Sequence, residues 1–142
     1  MSFKSSASIA MKQLHVAYTD FLINYPADSR KHIIPFGFFH EALVNNDTDV
    51  LTDIFIEIQD GEMLFFILNA LVVYEKSTIR WTQGDHRFST ASLFELPLAL
   101  AVFNGTPSLL KMMIEKGADV IVQDSKRCTV IHSIVIMSRE RP

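Results

Sequence analysis

The sequence predicts an all-α domain built from stacked helix–turn–helix units, and three observations predict it. Apolar residues recur at spacings of three and four along most of the chain, which is the period of helices with one buried face. Gly105 and Gly117 follow two of these apolar stretches, where a helix typically ends. The helical pattern that begins at Leu96 begins again 33 positions later, at Thr129, and such a period is typical of repeat proteins.

Length and composition restrict the class of protein. The chain has 142 residues, so we expect a single domain over residues 1–142. Its formal net charge is −3, so no basic field attracts nucleic acid. The single cysteine, Cys128, excludes an intramolecular disulfide and fits a reducing compartment. The most apolar stretch, Met63–Tyr74, spans roughly 18 Å as a helix against about 30 Å of bilayer hydrocarbon. We expect a buried helix there and no membrane insertion by this chain.

The N-terminal part is expected to begin with a helix over about residues 9–25. Its apolar positions lie on one helical face, and Ser8 is the predicted N-cap. Pro26 forces the residue before it out of the helical conformation and ends the helix. The polar segment Ala27–Pro35 is then predicted to be a loop.

The segment of about residues 36–75 is expected to contain degenerate repeats. Helices over Phe38–Val44 and Val50–Ile58, separated by a polar turn, form a predicted αα-hairpin. The pattern at Gly37 precedes that at Leu96 by 59 residues, which is 26 more than one repeat. Two interpretations remain open: an insertion of 26 residues, or a shortened, degenerate repeat between the two copies.

A long polar segment, about residues 75–92, is predicted to be a projecting finger loop. Connections of this length inside a compact domain are uncommon, so we expect either a functional protrusion or a mobile segment. A tryptophan flanked by arginine is typical of an interface hot spot. The candidate protein-binding residues are Arg80, Trp81, His86, Arg87 and Phe88. The alternative is that Trp81 folds back onto the helices and only stabilises them.

The best-defined repeat is predicted over about residues 93–125. Pro97 suits the first position of a helix, because the N–H that proline lacks has no intrahelical partner there. Gly105 and Gly117 are expected to adopt positive φ and to end the two helices of the repeat. The predicted packing stripe of the second helix is Leu109, Leu110, Met113 and Ile114.

A partial repeat is predicted over about residues 126–142, with its first helix at about Thr129–Met137. The Thr129 hydroxyl is expected to cap that helix, and His132 to hydrogen-bond back to the same turn, which is a structural role. The period and layout match the ankyrin repeat, a unit of about 33 residues with a Thr-Pro-Leu-His-x-Ala signature. The sequence therefore predicts an ankyrin-repeat solenoid whose last repeat is incomplete.

The second helix of that last repeat is missing from the sequence. Ile131, Ile134 and Val135 are therefore expected to be partly uncovered, unless Arg139, Glu140 and Arg141 fold over them. On this basis we expect the chain to be a fragment or truncated product of a longer protein. Light scattering tests the expectation, because a clean, salt-independent monomer would argue against it.

Two motifs resemble a narrower family. The runs Phe94–Ala101 (FELPLALA) and Gln123–Ser125, followed by Thr129–His132 (TVIH), resemble the cytoplasmic ankyrin domain of the vanilloid-type transient receptor potential (TRP) channels. In that family a long finger loop also precedes a Glu-Leu-Pro-Leu-x-Leu-Ala helix. The close match covers roughly residues 93–135, under a third of the chain. Arg127 stands where the family has glycine, so we expect a reshaped or strained turn there.

The resemblance implies a regulatory and assembly module of a calcium-permeable cation channel. Such a module lies in the cytoplasm at the membrane face and binds partner proteins or neighbouring channel subunits. This chain carries none of the six-helix membrane region, so by itself it is not expected to conduct ions. No nucleotide or calmodulin contact of the family is carried over to a residue here.

The sequence contains no recognisable catalytic motif, whether for a serine hydrolase, a zinc protease, a P-loop enzyme or a dinucleotide-binding enzyme. Cys128 is interpreted as a turn cysteine, and Asp47, Asp49 and Asp53 as a solvated turn rather than a calcium site. We expect no enzyme activity, no cofactor and no metal. The second functional hypothesis is a free-standing ankyrin adaptor. A reading frame that continues beyond Pro142 into several apolar spans of about 20 residues would favour the channel.

Overall fold

The structure, a computed structural model, describes residues 3–24, 33–74, 94–102, 105–132 and 134–135. In chain order the elements are α1 (Phe3–Asn24), β1 (Ile33–Pro35), α2 (Phe38–Asn45), α3 (Thr48–Glu57), α4 (Gly61–Asn69), β2 (Leu71–Val73), α5 (Pro97–Val102) and α6 (Pro107–Lys116). Residues 130–132 and 134–135 are also helical. The prediction of a mostly helical domain is confirmed for this part of the chain. The structure also contains one small sheet, which the sequence does not predict.

Helix α1 begins earlier than the sequence predicts. It starts at Phe3, so Ser8, the predicted N-cap, lies inside the helix. The helix packs against α2 and α3, and Ala7 and Ala10 are both buried. Tertiary packing thus extends α1 beyond the local capping signal, because most helical stability in proteins comes from burial of one face. The C-terminal end lies two residues before Pro26, as the proline predicts.

Helices α2 and α3 form the predicted αα-hairpin, with a shorter turn than expected. Asn46 adopts the left-handed conformation, with φ of 53°, and ends α2. The carboxylate of Asp47 accepts a hydrogen bond from the N–H of Val50 at 3.4 Å and begins α3. Two adjacent polar residues therefore suffice to reverse the chain.

The apolar stretch Met63–Tyr74 is not one helix, and the prediction of a single buried helix there is wrong. Helix α4 ends at Asn69, and strand β2 begins at Leu71, after one intervening residue. The β-branched residues Val72 and Val73 pair with β1 and favour the strand. Within the described ranges, no helix has the length and apolar character that a bilayer crossing requires.

Strands β1 and β2 form a two-stranded parallel sheet in which Ile34 lies beside Val72. The predicted loop Ala27–Pro35 is therefore wrong for its last three residues, while residues 25–32 lie outside the described part. On its other edge β2 donates the N–H of Val72 to the carbonyl oxygen of Glu95 at 2.7 Å. Strand β2 thus lies between β1 and the chain that leads into α5.

Helices α5 and α6 are the pair predicted between residues 93 and 125. Pro97 is the first residue of α5, as expected. Gly117 has φ of 124° and donates its N–H to the last turn of α6, which confirms its predicted role. Gly105 lacks the expected positive φ. It is required for a different reason, because a Cβ at this position would collide with the carbonyl oxygen of Ala101.

The core lies where α1, α2 and α3 meet, and it continues between α2 and α5 and between α4 and α6. Of the predicted stripe on α6, Leu109 and Met113 are buried and Leu110 is partly buried. Ile114 is 48 % exposed, contrary to the prediction. Leu109 and Met113 share one face because they are four residues apart, whereas Ile114 is turned about 100° away from Met113.

Candidate functional site

The predicted finger, residues 75–92, lies outside the described part of the chain, but the residues that flank it are described. The five candidate contact residues are equally outside it: Arg80, Trp81, His86, Arg87 and Phe88. At the finger's two ends, the hydroxyl of Tyr74 donates a hydrogen bond to the carbonyl oxygen of Phe94 at 2.8 Å. The two ends therefore meet. We call Val72, Tyr74, Phe94 and Glu95 the finger base.

Aromatic stacking connects the finger base to the start of α2. The ring of Phe36 stacks on that of Tyr74, with centroids 5.2 Å apart, and on that of His40, with centroids 5.6 Å apart. Burial raises the pKa of the Tyr74 hydroxyl, and the nearby carboxylate of Glu95 raises it further. The hydroxyl therefore stays protonated and remains a hydrogen-bond donor to Phe94 at any physiological pH.

Glu95 connects the finger base to the turn that precedes the last helical residues. Its two carboxylate oxygens accept hydrogen bonds from the hydroxyl of Ser125 at 2.8 and 2.7 Å, and one accepts the N–H of Ser125 at 3.0 Å. Hydrogen bonds to an ionised acceptor are stronger than neutral ones. Residues 30 positions apart in sequence are thereby held together.

Two helix starts carry the same capping contact. The N–H of Gly37 donates to Nδ1 of His40 at 3.0 Å, and the N–H of Thr129 donates to Nδ1 of His132 at 3.1 Å. The hydroxyl of Thr129, predicted to cap the helix, lies 3.2 Å from the same ring nitrogen. The predicted hydrogen bond from His132 back to the turn is confirmed, and His40 makes its counterpart at the start of α2.

The turn before Thr129 is built around one carboxylate. Oδ1 of Asp124 accepts the N–H groups of Lys126 at 2.8 Å and Cys128 at 2.9 Å. Arg127 between them has φ of 64°, a left-handed conformation that favours glycine. The expected strain at this position is therefore present. The thiol of Cys128 is half-buried and lies 3.8 Å from the carbonyl oxygen of Lys126.

The last described helical residues present an apolar face to solvent. Ile131 is 61 % exposed, and Ile134 and Val135 are exposed as well, which confirms the expectation that these side chains are uncovered. Arg139, Glu140 and Arg141 lie outside the described residues. Large apolar side chains grouped in this way are typical of surfaces that contact another element or molecule.

Asn69 is a structural residue whose role the sequence pattern does not predict. Its Nδ2 donates to the carbonyl oxygens of Phe65 at 3.0 Å and Gly117 at 2.9 Å, and its Oδ1 accepts the N–H of Asp119 at 2.8 Å. One amide thus joins the end of α4 to the turn after α6. The available signal was that Asn69 is the one amide within the apolar stretch Met63–Tyr74.

The contacts described above are capping, bridging and stacking contacts. Among the described residues, no three His, Cys, Asp or Glu side chains are grouped so that they could hold a metal ion. Comparison of the chain with protein-family models, with curated proteins and with solved structures found no match.

Proposed function

We propose that this chain is a non-enzymatic interaction module with ankyrin-repeat architecture. The observation that carries the proposal is the pair of identical capping contacts at His40 and His132, each from an N–H three residues earlier. One local device at two helix starts is typical of a repeat protein, in which units often begin their first helix in the same way. Helices α2 and α5 also lie side by side, as neighbouring units of a solenoid do.

The surface that binds partner proteins is, in this proposal, the finger over residues 75–92. The hydrogen bond from Tyr74 to Phe94 closes the segment at its base. Strand β2 and the Glu95–Ser125 contact hold the two sides of that base in place. A loop that is closed at its base on a packed scaffold is a favourable site for recognition residues.

We further propose that the module belongs to the cytoplasmic regulatory and assembly region of a vanilloid-type TRP channel, where it binds partner proteins or neighbouring subunits at the membrane face. Support comes from Glu95 and Ser125, which lie in the two motifs that carry the resemblance and contact each other directly. The alternative is a free-standing ankyrin adaptor in the cytoplasm. It has no membrane region encoded in its reading frame, whereas the channel does.

A co-precipitation experiment tests the finger. The full chain, a variant with residues 76–92 replaced by a Gly-Ser linker, and Trp81→Ala are compared for retention of partners and of a second, differently tagged copy. We expect the linker variant and Trp81→Ala to lose partners that the full chain retains. Ile56→Ser, at an exposed position on α3, is the matched control and should retain them. Equal retention by all variants would exclude the finger as the binding surface.

A further inference from the structure

A cavity of about 440 Å³ lies between α1 and the segment that joins β1 to α2. Its wall on the α1 side includes Leu14 and Ala17, and its opposite wall includes Ile34, Phe39 and His40. This volume falls within the range of small-molecule sites, which are mainly apolar with a few polar groups that orient the ligand. It is also far larger than the roughly 30 Å³ that one water molecule occupies.

His40, one of the residues that line this cavity, carries an unsatisfied polar atom. The side chain is 1 % exposed, and its Nδ1 accepts the N–H of Gly37 at 3.0 Å. Because Nδ1 is the acceptor, the neutral ring carries its proton on Nε2. That atom is buried and has no hydrogen-bond partner within the described part of the chain. A buried donor without an acceptor is rare in folded proteins, and it calls for an explanation such as a missing ligand.

The charges around the cavity indicate a neutral ligand. The two charged residues that line it, Lys12 and Asp20, have opposite signs, and both are exposed on α1. Gln13, a further polar lining residue, uses its Oε1 to accept the N–H of Phe38 at 2.8 Å. The buried residues of the lining are therefore apolar apart from His40, which suits an apolar molecule with one acceptor atom.

We propose that this cavity binds a neutral, mainly apolar small molecule that carries one carbonyl oxygen, and that Nε2–H of His40 donates to that oxygen. Burial of the apolar body in the cavity provides most of the affinity. The hydrogen bond provides selectivity, because a hydrocarbon of the same shape leaves the His40 donor unsatisfied. The proposal rests on the lining of the cavity and on His40, so it does not depend on the proposed interaction function.

Two probes of matched shape test the proposal on the full chain: 2-acetylnaphthalene, which has a carbonyl oxygen, and 2-isopropylnaphthalene, which does not. Binding is measured by isothermal titration and by NMR. We expect the ketone to bind about fivefold more tightly, as one net hydrogen bond predicts. We also expect the ketone alone to shift the Nε2–H resonance of His40 and to give contacts from the probe to the methyl groups of Ala17 and Ile34.

A filling variant provides the control. Ala17→Leu places a larger side chain in the cavity and should abolish binding, whereas Thr19→Leu, at an exposed position of the same helix outside the lining, should not. Equal affinities for the two probes would overturn the role of His40, and no binding of either probe at millimolar concentration would overturn the site. The NMR contacts in the unsubstituted chain decide the question even if Ala17→Leu does not fold.

Discussion

At the scale of single residues, Asn69 shows how one side chain joins distant parts of the chain. Its three hydrogen bonds connect α4 to the turn at Gly117 and Asp119. We expect Asn69→Ala to lower the free energy of unfolding by about 1–3 kcal/mol, because backbone groups at that turn lose their partners. Urea denaturation measures this. Asn45→Ala, at an exposed position near the end of α2, is the control and should change stability by less than about 0.5 kcal/mol.

Arg127 is a residue whose replacement should stabilise the protein. Its φ of 64° costs a non-glycine residue about 1–2 kcal/mol, and the greater flexibility of glycine in the unfolded chain offsets part of the gain. We expect Arg127→Gly to raise the free energy of unfolding by about 0.5–1 kcal/mol in thermal or urea unfolding. Arg127→Ala removes the same side chain without relieving the strain, and equal stabilisation by both variants would contradict the explanation.

The burial of His40 predicts a loss of stability in mild acid. Burial lowers the pKa of His40 from its ordinary 6.5 to about 3. The folded state therefore binds the proton more weakly than the unfolded state, so the stability contribution is complete above pH 6.5 and is lost as the pH falls towards 3. Between pH 7.5 and pH 5 we expect a loss of about 2 kcal/mol in urea unfolding.

Two variants isolate this effect from other titrations. Burial raises the pKa of Glu41, and the negative charge of the nearby Asp47 raises it further. Protonation of Glu41 therefore stabilises the folded state as the pH falls, which is opposite to the effect of His40. The informative quantity is therefore the difference between the unsubstituted chain and His40→Gln, which should lack the loss. His15→Gln, at an exposed position of α1, should retain it. If His40→Gln shows the full acid sensitivity, another group is responsible.

At the scale of elements, replacing glycine with alanine is expected to have opposite effects on stability at Gly105 and at Gly61. A Cβ at Gly105 would collide with the Ala101 carbonyl at the junction of α5 and α6, so Gly105→Ala should destabilise by about 1–3 kcal/mol. A Cβ at Gly61, the first residue of α4, meets nothing within 4 Å. Gly61→Ala should therefore be neutral or stabilise by up to about 1 kcal/mol. Thermal unfolding of the pair checks both signs.

The elements that the sequence predicts well are those with local signals. Pro97, Gly117 and the polar turn at Asp47 mark helix ends by their own chemistry, and the structure has helix ends there. Strands β1 and β2 have no such signal, because each is three residues long and is defined by pairing with a distant segment. Gly105 is predicted to end a helix through a positive φ, but the structure shows that it is needed for a contact that no local pattern encodes.

In the candidate site, too, the features with a local signal are predicted by the sequence and those that depend on distant contacts are not. The hydrogen bond of His132 to its own turn follows from a local motif and is predicted by it. The unsatisfied Nε2 of His40 depends on tertiary burial, which a local motif does not predict. Asn69 lies in an apolar run that predicts only a buried helix, and its partners come from a turn 48 and 50 positions later. Residue pairings across such distances are set by the packing of the whole chain.

At the scale of the whole molecule, the closed finger base predicts that the scaffold folds without the finger. Tyr74 and Phe94 are joined by a hydrogen bond, so the 19 residues between them form a closed loop. Replacing residues 76–92 with a four-residue Gly-Ser linker shortens this loop about threefold. Loop-closure entropy then predicts a gain of about 1 kcal/mol in the free energy of unfolding. For a chain of this size the melting temperature should rise by about 3 °C.

The same variant separates the two interpretations of Trp81. If Trp81 packs on the helices and only stabilises them, the replacement should cost about 3 kcal/mol or more, the usual cost of removing a buried tryptophan side chain. A Gly-Ser segment of the original length provides the control, since it keeps the loop-closure entropy and removes only the side chains. A stable scaffold in both variants, together with loss of partner binding, assigns the finger to recognition. Loss of stability in both assigns it to the core.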